Sequence, residues 1–153
     1  MAAAPATGAV VMGSGYSYAL PAPWTEKEDA LPPNIDSVAV NLTDADGFTD
    51  SVNVSFSPLK WATPKIFEFL VVDELEHAGA TDVRTRTRLT IGGAASAHFS
   101  AVMTVQGLEY LVEQYYVCTA GQTYIVTFSF SPTVPEPDRD ALAEAIFATW
   151  LWD

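Results

Sequence analysis

Residues 83–131 read VRTRTRLTIGG, AASAHFSAVMTVQG, LEYLVEQYYVCTAG and QTYIVTFSFS, four β-rich runs that are separated by glycine-bearing turns. The turns are Gly92-Gly93, Gln106-Gly107 and Ala120-Gly121. Turns this short join neighbouring antiparallel strands. The stretch therefore predicts a central antiparallel meander of four strands, around which the rest of the chain has to pack.

Three shorter β-rich runs precede the meander. They cover residues 16–20, 35–42 and 48–57, and each is bounded by proline or by turn-forming Gly, Asn and Asp residues. From Val52 to Phe56 apolar residues alternate with polar ones, which is the period of a strand with one buried face. Together with the meander, these runs predict a sheet of about six to seven strands.

Two segments have the spacing of helices. Residues 64–78 begin at Pro64 and stop before Gly79, and their apolar stripe is wide enough to be buried over much of the helix. A second helix follows Pro137. The predicted fold is therefore α+β, a single antiparallel sheet covered by two helices. We expect both helices on the face formed by Val52, Val54, Phe56, Phe99, Met103, Tyr124, Val126, Phe128 and Phe130.

The chain length suits one domain with a short arm before it. A chain of 153 residues is the usual size of a single domain. Residues 1–15 are rich in Ala and Gly and have no amphipathic period, which indicates an arm that is flexible or ordered by a partner. Residues 16–153 then form the domain.

The charge balance argues against several classes of partner. The formal net charge is −12, because 19 acidic residues outnumber 7 basic ones. Nucleic acids and anionic lipids bind clustered Lys and Arg, so we expect neither nucleic acid nor membrane insertion. No apolar stretch has the length of a transmembrane helix, and the N-terminus does not have the pattern of a secretory signal. The expected location is the cytoplasm or a particle assembled there.

Five short segments follow the order of motifs in a known superfamily. They are Gly15-Tyr-Ser-Tyr-Ala-Leu-Pro21 with Trp24, Phe48-Thr-Asp-Ser-Val-Asn-Val54, Leu89-Thr-Ile-Gly-Gly93, Gly121-Gln-Thr-Tyr-Ile-Val-Thr-Phe128 and Phe147-Ala-Thr-Trp150. In this order they resemble the PsbP-like superfamily, which includes photosystem PsbP proteins, Ran-binding Mog-type proteins, LpqN-type lipoproteins and Eag-type effector chaperones. The resemblance implies a PsbP-like α+β fold that is used mainly for binding.

The chain departs from this pattern where function would lie. LpqN-type proteins begin with an export signal and a lipid-bearing cysteine, and this chain has neither. Thr25-Glu-Lys-Glu-Asp29 stands where the Eag type typically has an Asp-Arg-Thr-like segment. The resemblance therefore implies the fold without assigning the task of any one member.

Candidate catalytic chemistry centres on His98. This histidine is in strand phase with Ser100, and Glu109 or Glu113 on the next strand can supply an acid. A weak hydrolase with a Ser–His–acid arrangement is therefore one alternative. No nucleophile-elbow motif or glycine-rich oxyanion loop accompanies these residues, so we predict no catalytic residue.

Metal and cofactor motifs are weak. One cysteine, Cys118, and two widely separated histidines do not have the spacing of a zinc site. Asp44, Asp46 and Asp50 resemble part of a calcium loop, but the Gly and Glu that such a loop requires are missing at their offsets. A plain hairpin turn is the favoured interpretation, and a cation there stays an open alternative. We predict no cofactor and no metal.

Two sets of residues are candidate binding surfaces. Arg84, Arg86 and Arg88 alternate along one strand, so they share a face. They either pair with Glu109 and Glu113 across the meander or contact an acidic partner.

The tryptophans form the second set. Trp24, Trp61 and Trp152 lie outside the predicted helices and the meander, and exposed tryptophan is a common interface anchor.

These observations predict a non-enzymatic protein-interaction module: an adaptor, a chaperone-like carrier or an assembly component. The expected partners are another protein or neighbouring subunits. A structural subunit of a phage or contractile-injection particle is the alternative, and the N-terminal arm is the clue to it. The hydrolase centred on His98 is the third.

Overall fold

The computed structural model describes residues 3–43 and 47–153. The elements are β1 (Val10–Met12), β2 (Tyr16–Ala19), β3 (Thr25–Glu26), β4 (Ile35–Val40), β5 (Ser51–Phe56), α1 (Pro64–His77), β6 (Thr81–Ile91), β7 (Ala94–Val105), β8 (Leu108–Thr119), β9 (Gln122–Phe130), α2 (Glu136–Phe147) and β10 (Leu151–Trp152). The α+β class is confirmed, and the four-strand meander corresponds to β6–β9.

The strands form two sheets, so the prediction of a single sheet was wrong. A seven-stranded antiparallel sheet has the order β3-β4-β5-β9-β8-β7-β6, and a three-stranded sheet has the order β1-β2-β10. Strand β10 follows α2 directly and pairs antiparallel with β2, with Leu151 opposite Ser17. A strand of two residues has no period to detect, so the sequence pattern does not reveal the second sheet.

The helices lie on opposite faces of the large sheet, which corrects the expectation that they share one. The register aligns His98 with Tyr115, and Tyr115 with Val126 of β9, so these residues point to the same face. That face packs against α2 and the small sheet. Phe99 is one position further along β7 and therefore points to the other face, where it packs in the cluster that contains Phe67 of α1.

The main core lies between the large sheet, α2 and the small sheet. Trp150 follows α2, is 3% exposed, and stacks on both Tyr16 and Tyr18 of β2. Its ring centroid is 5.0 Å from that of Tyr16 and 4.9 Å from that of Tyr18. Stacked aromatic rings at such distances contribute beyond their buried area. The end of α2 is thereby attached to the small sheet.

The N-terminal segment packs against its own domain from Ala6 onward. Val11 of β1 is fully buried in the main core, and β1 pairs with β2. The Ala6 N–H donates to the Ala145 carbonyl of α2 at 3.0 Å. Contacts within the chain therefore hold residues 6–12 against the domain.

Within residues 3–43 and 47–153, neither helix is long and apolar enough to cross a bilayer.

Candidate functional site

The three arginines of β6 are engaged in ion pairs, and they do not share a face. Arg84 and Arg86 reach acids of α2, whereas Arg88 binds Glu68 of α1 with contacts of 2.6 and 2.9 Å. An irregularity between Arg86 and Leu89 inserts one extra residue into β6, which turns Arg88 to the opposite face. The expectation that all three lie on one face was therefore wrong.

Arg86 makes the most extensive contacts of the three. Its Nη1 and Nη2 donate to Asp140 at 2.6 and 2.7 Å in a bidentate pair, and Nη1 also donates to Glu113 at 3.0 Å. Arg84 binds Glu136 of α2 at 2.7 Å. The sequence suggested Glu109 and Glu113 as partners of these arginines, and of the two, Glu113 pairs with Arg86. The other ion pairs described for these arginines are with Glu68, Glu136 and Asp140, which lie on the helices.

Glu113 is the centre of a buried polar network. Its side chain is 1% exposed and accepts hydrogen bonds from His98 Nε2 at 2.7 Å and from Ser100 Oγ at 2.7 and 2.8 Å. Arg139 Nε of α2 donates to the second carboxylate oxygen at 3.2 Å. Four elements, β6, β7, β8 and α2, thus meet at one carboxylate. We call Arg86, His98, Ser100, Glu113, Arg139 and Asp140 the Glu113 network.

Electrostatics keep the Glu113 carboxylate ionised. Burial by itself raises the pKa of Glu113, but the hydrogen bonds from His98, Ser100 and Arg86 outweigh burial and lower the pKa to about 2. The bidentate contact with Asp140 raises the pKa of Arg86 above its ordinary value. Glu113 and Arg86 therefore stay charged at physiological pH.

The network does not have the geometry of a hydrolase. Ser100 donates its hydroxyl hydrogen to Glu113, and His98 also bonds to Glu113. Serine activation requires a hydrogen bond from the hydroxyl to the imidazole. In the described part of the chain His98 and Ser100 share an acceptor instead, so the carboxylate holds both side chains in place.

A metal ion does not fit the same cluster well. Ligand atoms of His98, Glu113 and Asp140 lie within 4.8 Å of one another. However, Arg86 Nη1 donates to both carboxylates and already supplies the positive charge between them. A cation would have to displace this half-buried guanidinium. The cluster is therefore better explained as the contact that attaches α2 to the sheet.

Of the three aspartates that resemble part of a calcium loop, the structure describes one. Asp44 and Asp46 lie outside the described residues. Asp50 is buried, and its carboxylate accepts a hydrogen bond from the Ser131 N–H at 2.9 Å. This contact connects the start of β5 to the end of β9.

The network predicts a specific loss of stability in acid. Glu113 has a pKa of about 2 in the folded protein and an ordinary value of 4.5. Its contribution is therefore complete above about pH 5 and is lost as the pH falls toward 2, in total about 3 kcal/mol. Urea unfolding between pH 6 and pH 3 should show about 2 kcal/mol of this loss. The Glu113→Gln variant, which has no such group, should lose less stability over the same range, whereas equal slopes would contradict the assignment.

The three candidate tryptophans have different environments. Trp24 is buried in the main core, which removes it from the surface. Trp152 is half-buried, packs on Tyr124, and donates from Nε1 to the Ile91 carbonyl at 3.1 Å. Trp61, in the loop before α1, is 76% exposed. Of these three indoles, Trp61 is therefore the one that is mostly free to contact a partner.

Helix α1, which begins three residues after Trp61, presents two more large apolar side chains. Ile66 is 41% exposed and Phe69 is 82% exposed, and a spacing of three residues places them side by side on the helix. Phe67 and Val71 of the same helix are buried against the sheet. We call Trp61, Ile66 and Phe69 the α1 surface. The expectation that the wide apolar stripe is buried over much of the helix was therefore wrong, because only Pro64, Phe67 and Val71 of α1 are buried.

Comparison with known proteins shows the fold. No family model matches the chain, and no curated protein matches it in sequence. Among solved structures, it is similar to LpqN of Mycobacterium tuberculosis, a protein involved in cell envelope biogenesis, with a TM-score of 0.62 and 14% identity over 94% of this chain and 83% of that one. It is also similar to cyanobacterial PsbP from Synechocystis, with a TM-score of 0.57 and 12% identity over 91% and 87%.

A third similar structure comes from Bacteroides thetaiotaomicron, with a TM-score of 0.59 and 18% identity over 95% of this chain. The chain spans about half of that longer protein, 48% of its length. These similarities confirm the PsbP-like fold that the sequence motifs implied. At identities this low, the similarity shows only the architecture, and the function has to be inferred from the residues of this chain.

Proposed function

We propose that this protein is a non-enzymatic protein-interaction module that docks its partner on the α1 surface. The observation that carries the proposal is the exposure of Trp61 and Phe69, two large aromatic side chains at 76% and 82%. Aromatic residues are enriched among the side chains that dominate binding energy at interfaces. Adaptor, carrier and assembly component are the roles in which such a module acts.

The backbone at Trp61 supports this proposal. Trp61 has a φ of 58°, in the left-handed region that bulky residues rarely occupy. Such a conformation costs roughly 1–3 kcal/mol. Burial of the indole would offset that cost, but most of the ring is in water. A strained and exposed tryptophan is typical of a residue retained for binding.

The two alternative functions lack comparable support. The clue to a particle subunit was a partner-ordered arm, and residues 6–12 pack on their own domain. The hydrolase required a serine–histidine hydrogen bond, and both side chains of that pair bind Glu113.

Combining Trp61→Gly with Phe69→Ser should abolish partner binding without unfolding the protein. Loss of two central aromatic anchors typically weakens a complex by at least 2 kcal/mol, or about 30-fold. Glycine relieves the left-handed strain at position 61 but raises the conformational entropy of the unfolded chain. Because these two effects oppose each other, the free energy of unfolding should stay within about 1 kcal/mol of the original. Affinity capture from the native host, followed by mass spectrometry, compares the proteins retained by each form.

Leu108→Ser is the matched control, because Leu108 is also an exposed apolar residue, 53% accessible at the β7–β8 turn. Capture should be unchanged in this control. If the double variant retains the same proteins as the original chain, the α1 surface is not the docking site.

A further inference from the structure

The arginines leave little unpaired positive charge in this protein. The chain has four arginines and three lysines. All four arginines form ion pairs within the chain. The remaining bases are Lys27, Lys60 and Lys65, and none of them forms an ion pair with a carboxylate of the described residues. Lys27 is followed and preceded directly by acids in the stretch Glu26-Lys-Glu-Asp29.

Two of these three lysines border the α1 surface. Lys60 precedes Trp61 and Lys65 precedes Ile66, and both lysine side chains are exposed. The first turn of α1 contains no acidic residue, whereas the first turn of α2 contains two. Glu68, the first acid of α1, is bound by Arg88. The exposed acids of this helix begin at Asp73, one turn beyond Phe69.

The α1 surface therefore combines exposed aromatic rings with uncompensated positive charge, in a protein whose net charge is −12. The lysines attract a negatively charged partner to the α1 surface, whereas the acidic residues repel it from most of the remaining surface. Charges around an apolar contact set the orientation and choice of partner. A segment with acids on one side and apolar side chains on the other satisfies both features.

We infer that the α1 surface binds a segment of another protein that is rich in Asp and Glu and carries large apolar side chains. The inference rests on the proposed docking function and specifies the chemistry of the partner. The acids of the segment lie toward Lys60 and Lys65, at the N-terminal end of α1, and away from Asp73. Apolar side chains of the segment cover Trp61 and Phe69.

The test is a selection of random peptides displayed on phage against the immobilised protein, with counter-selection against the Trp61→Gly, Phe69→Ser variant. Peptides that require the α1 surface should be enriched in Asp, Glu and large apolar residues. The best of them, made synthetically with a fluorophore, should bind Lys60→Glu and Lys65→Glu roughly threefold to tenfold more weakly than the original protein. Raising the salt concentration should weaken binding as well.

Lys27→Glu is the matched control, since it makes the same change in net charge at a lysine away from the α1 surface, and affinity should be unchanged. Surface-dependent peptides without acidic enrichment, or with equal affinity for the lysine variants, would overturn the acidic partner and leave the docking function intact. Failure to select any peptide that depends on Trp61 and Phe69 would instead count against the docking function. A single-stranded oligonucleotide of about 15 thymidines is the second probe, and tighter lysine-dependent binding of it would overturn the inference in favour of nucleic acid.

Discussion

Replacing Glu113 by alanine should lower the free energy of unfolding by roughly 3–5 kcal/mol, the range found when one partner of a buried ion pair is removed. The carboxylate is 1% exposed, and it compensates Arg139 and part of the charge of Arg86. Without it, Arg139 keeps an exposed acid, Glu136, at 3.9 Å as its nearest ion-pair partner. His98 and Ser100 also lose the acceptor that they share. Urea unfolding at pH 7, followed by tryptophan fluorescence, measures the loss.

Two controls separate this effect from ordinary surface substitutions. Glu109→Ala removes an exposed acid from the same strand, and Arg84→Ala breaks an exposed ion pair with Glu136. Each should change the free energy of unfolding by at most about 1 kcal/mol. A Glu113→Ala variant as stable as the Glu109→Ala variant would show that the network does not attach α2 to the sheet.

Replacing Trp150 by alanine should cost about 3–5 kcal/mol as well, the range for large aromatic residues deleted from a core. The indole is 3% exposed and stacks on both Tyr16 and Tyr18, so its removal leaves a cavity between α2 and the small sheet. Thermal and urea unfolding, followed by circular dichroism, give the loss.

Trp150→Phe should retain much of this stability. Trp150 Nε1 has no hydrogen-bond partner within the described residues, so a phenyl ring loses area without breaking a bond. Trp61→Gly is the matched control at an exposed tryptophan, for which we expect a change within about 1 kcal/mol. If Trp150→Ala cost no more than this control, the small sheet would contribute little to the core.

Local patterns in the sequence predicted most of the secondary structure. The glycine turns at residues 92–93, 106–107 and 120–121 separate the strands of the meander as expected, and Pro64 begins α1. These features depend on the backbone preferences of one or two residues, which neighbouring elements do not change. The small sheet escaped prediction because β10 is two residues long and forms by pairing with β2, which is far away in sequence.

The candidate sites were predicted unevenly for the same reason. The sequence pattern singled out Arg86, His98, Ser100 and Glu113 as candidate site residues, because each is a polar residue in strand phase. It placed Phe99 on the same face as Val126, whereas the register puts His98 on that face through Tyr115. Alternation shows which residues of one strand share a face. It does not show which face of the next strand they join, because a shift of one residue in register reverses that choice.

The sequence alone thus determined the α+β class, the antiparallel meander and the acidic surface, all of which follow from short-range preferences and composition. The tertiary structure decided that the helices lie on opposite faces and that a bulge turns Arg88 away from Arg86. It also decided that Trp24 is buried while Trp61 is exposed. Burial depends on which parts of the chain pack against each other. That packing is set by the strand register, by the face of the sheet on which each helix lies and by the pairing of β10 with β2. A local sequence pattern contains none of this information.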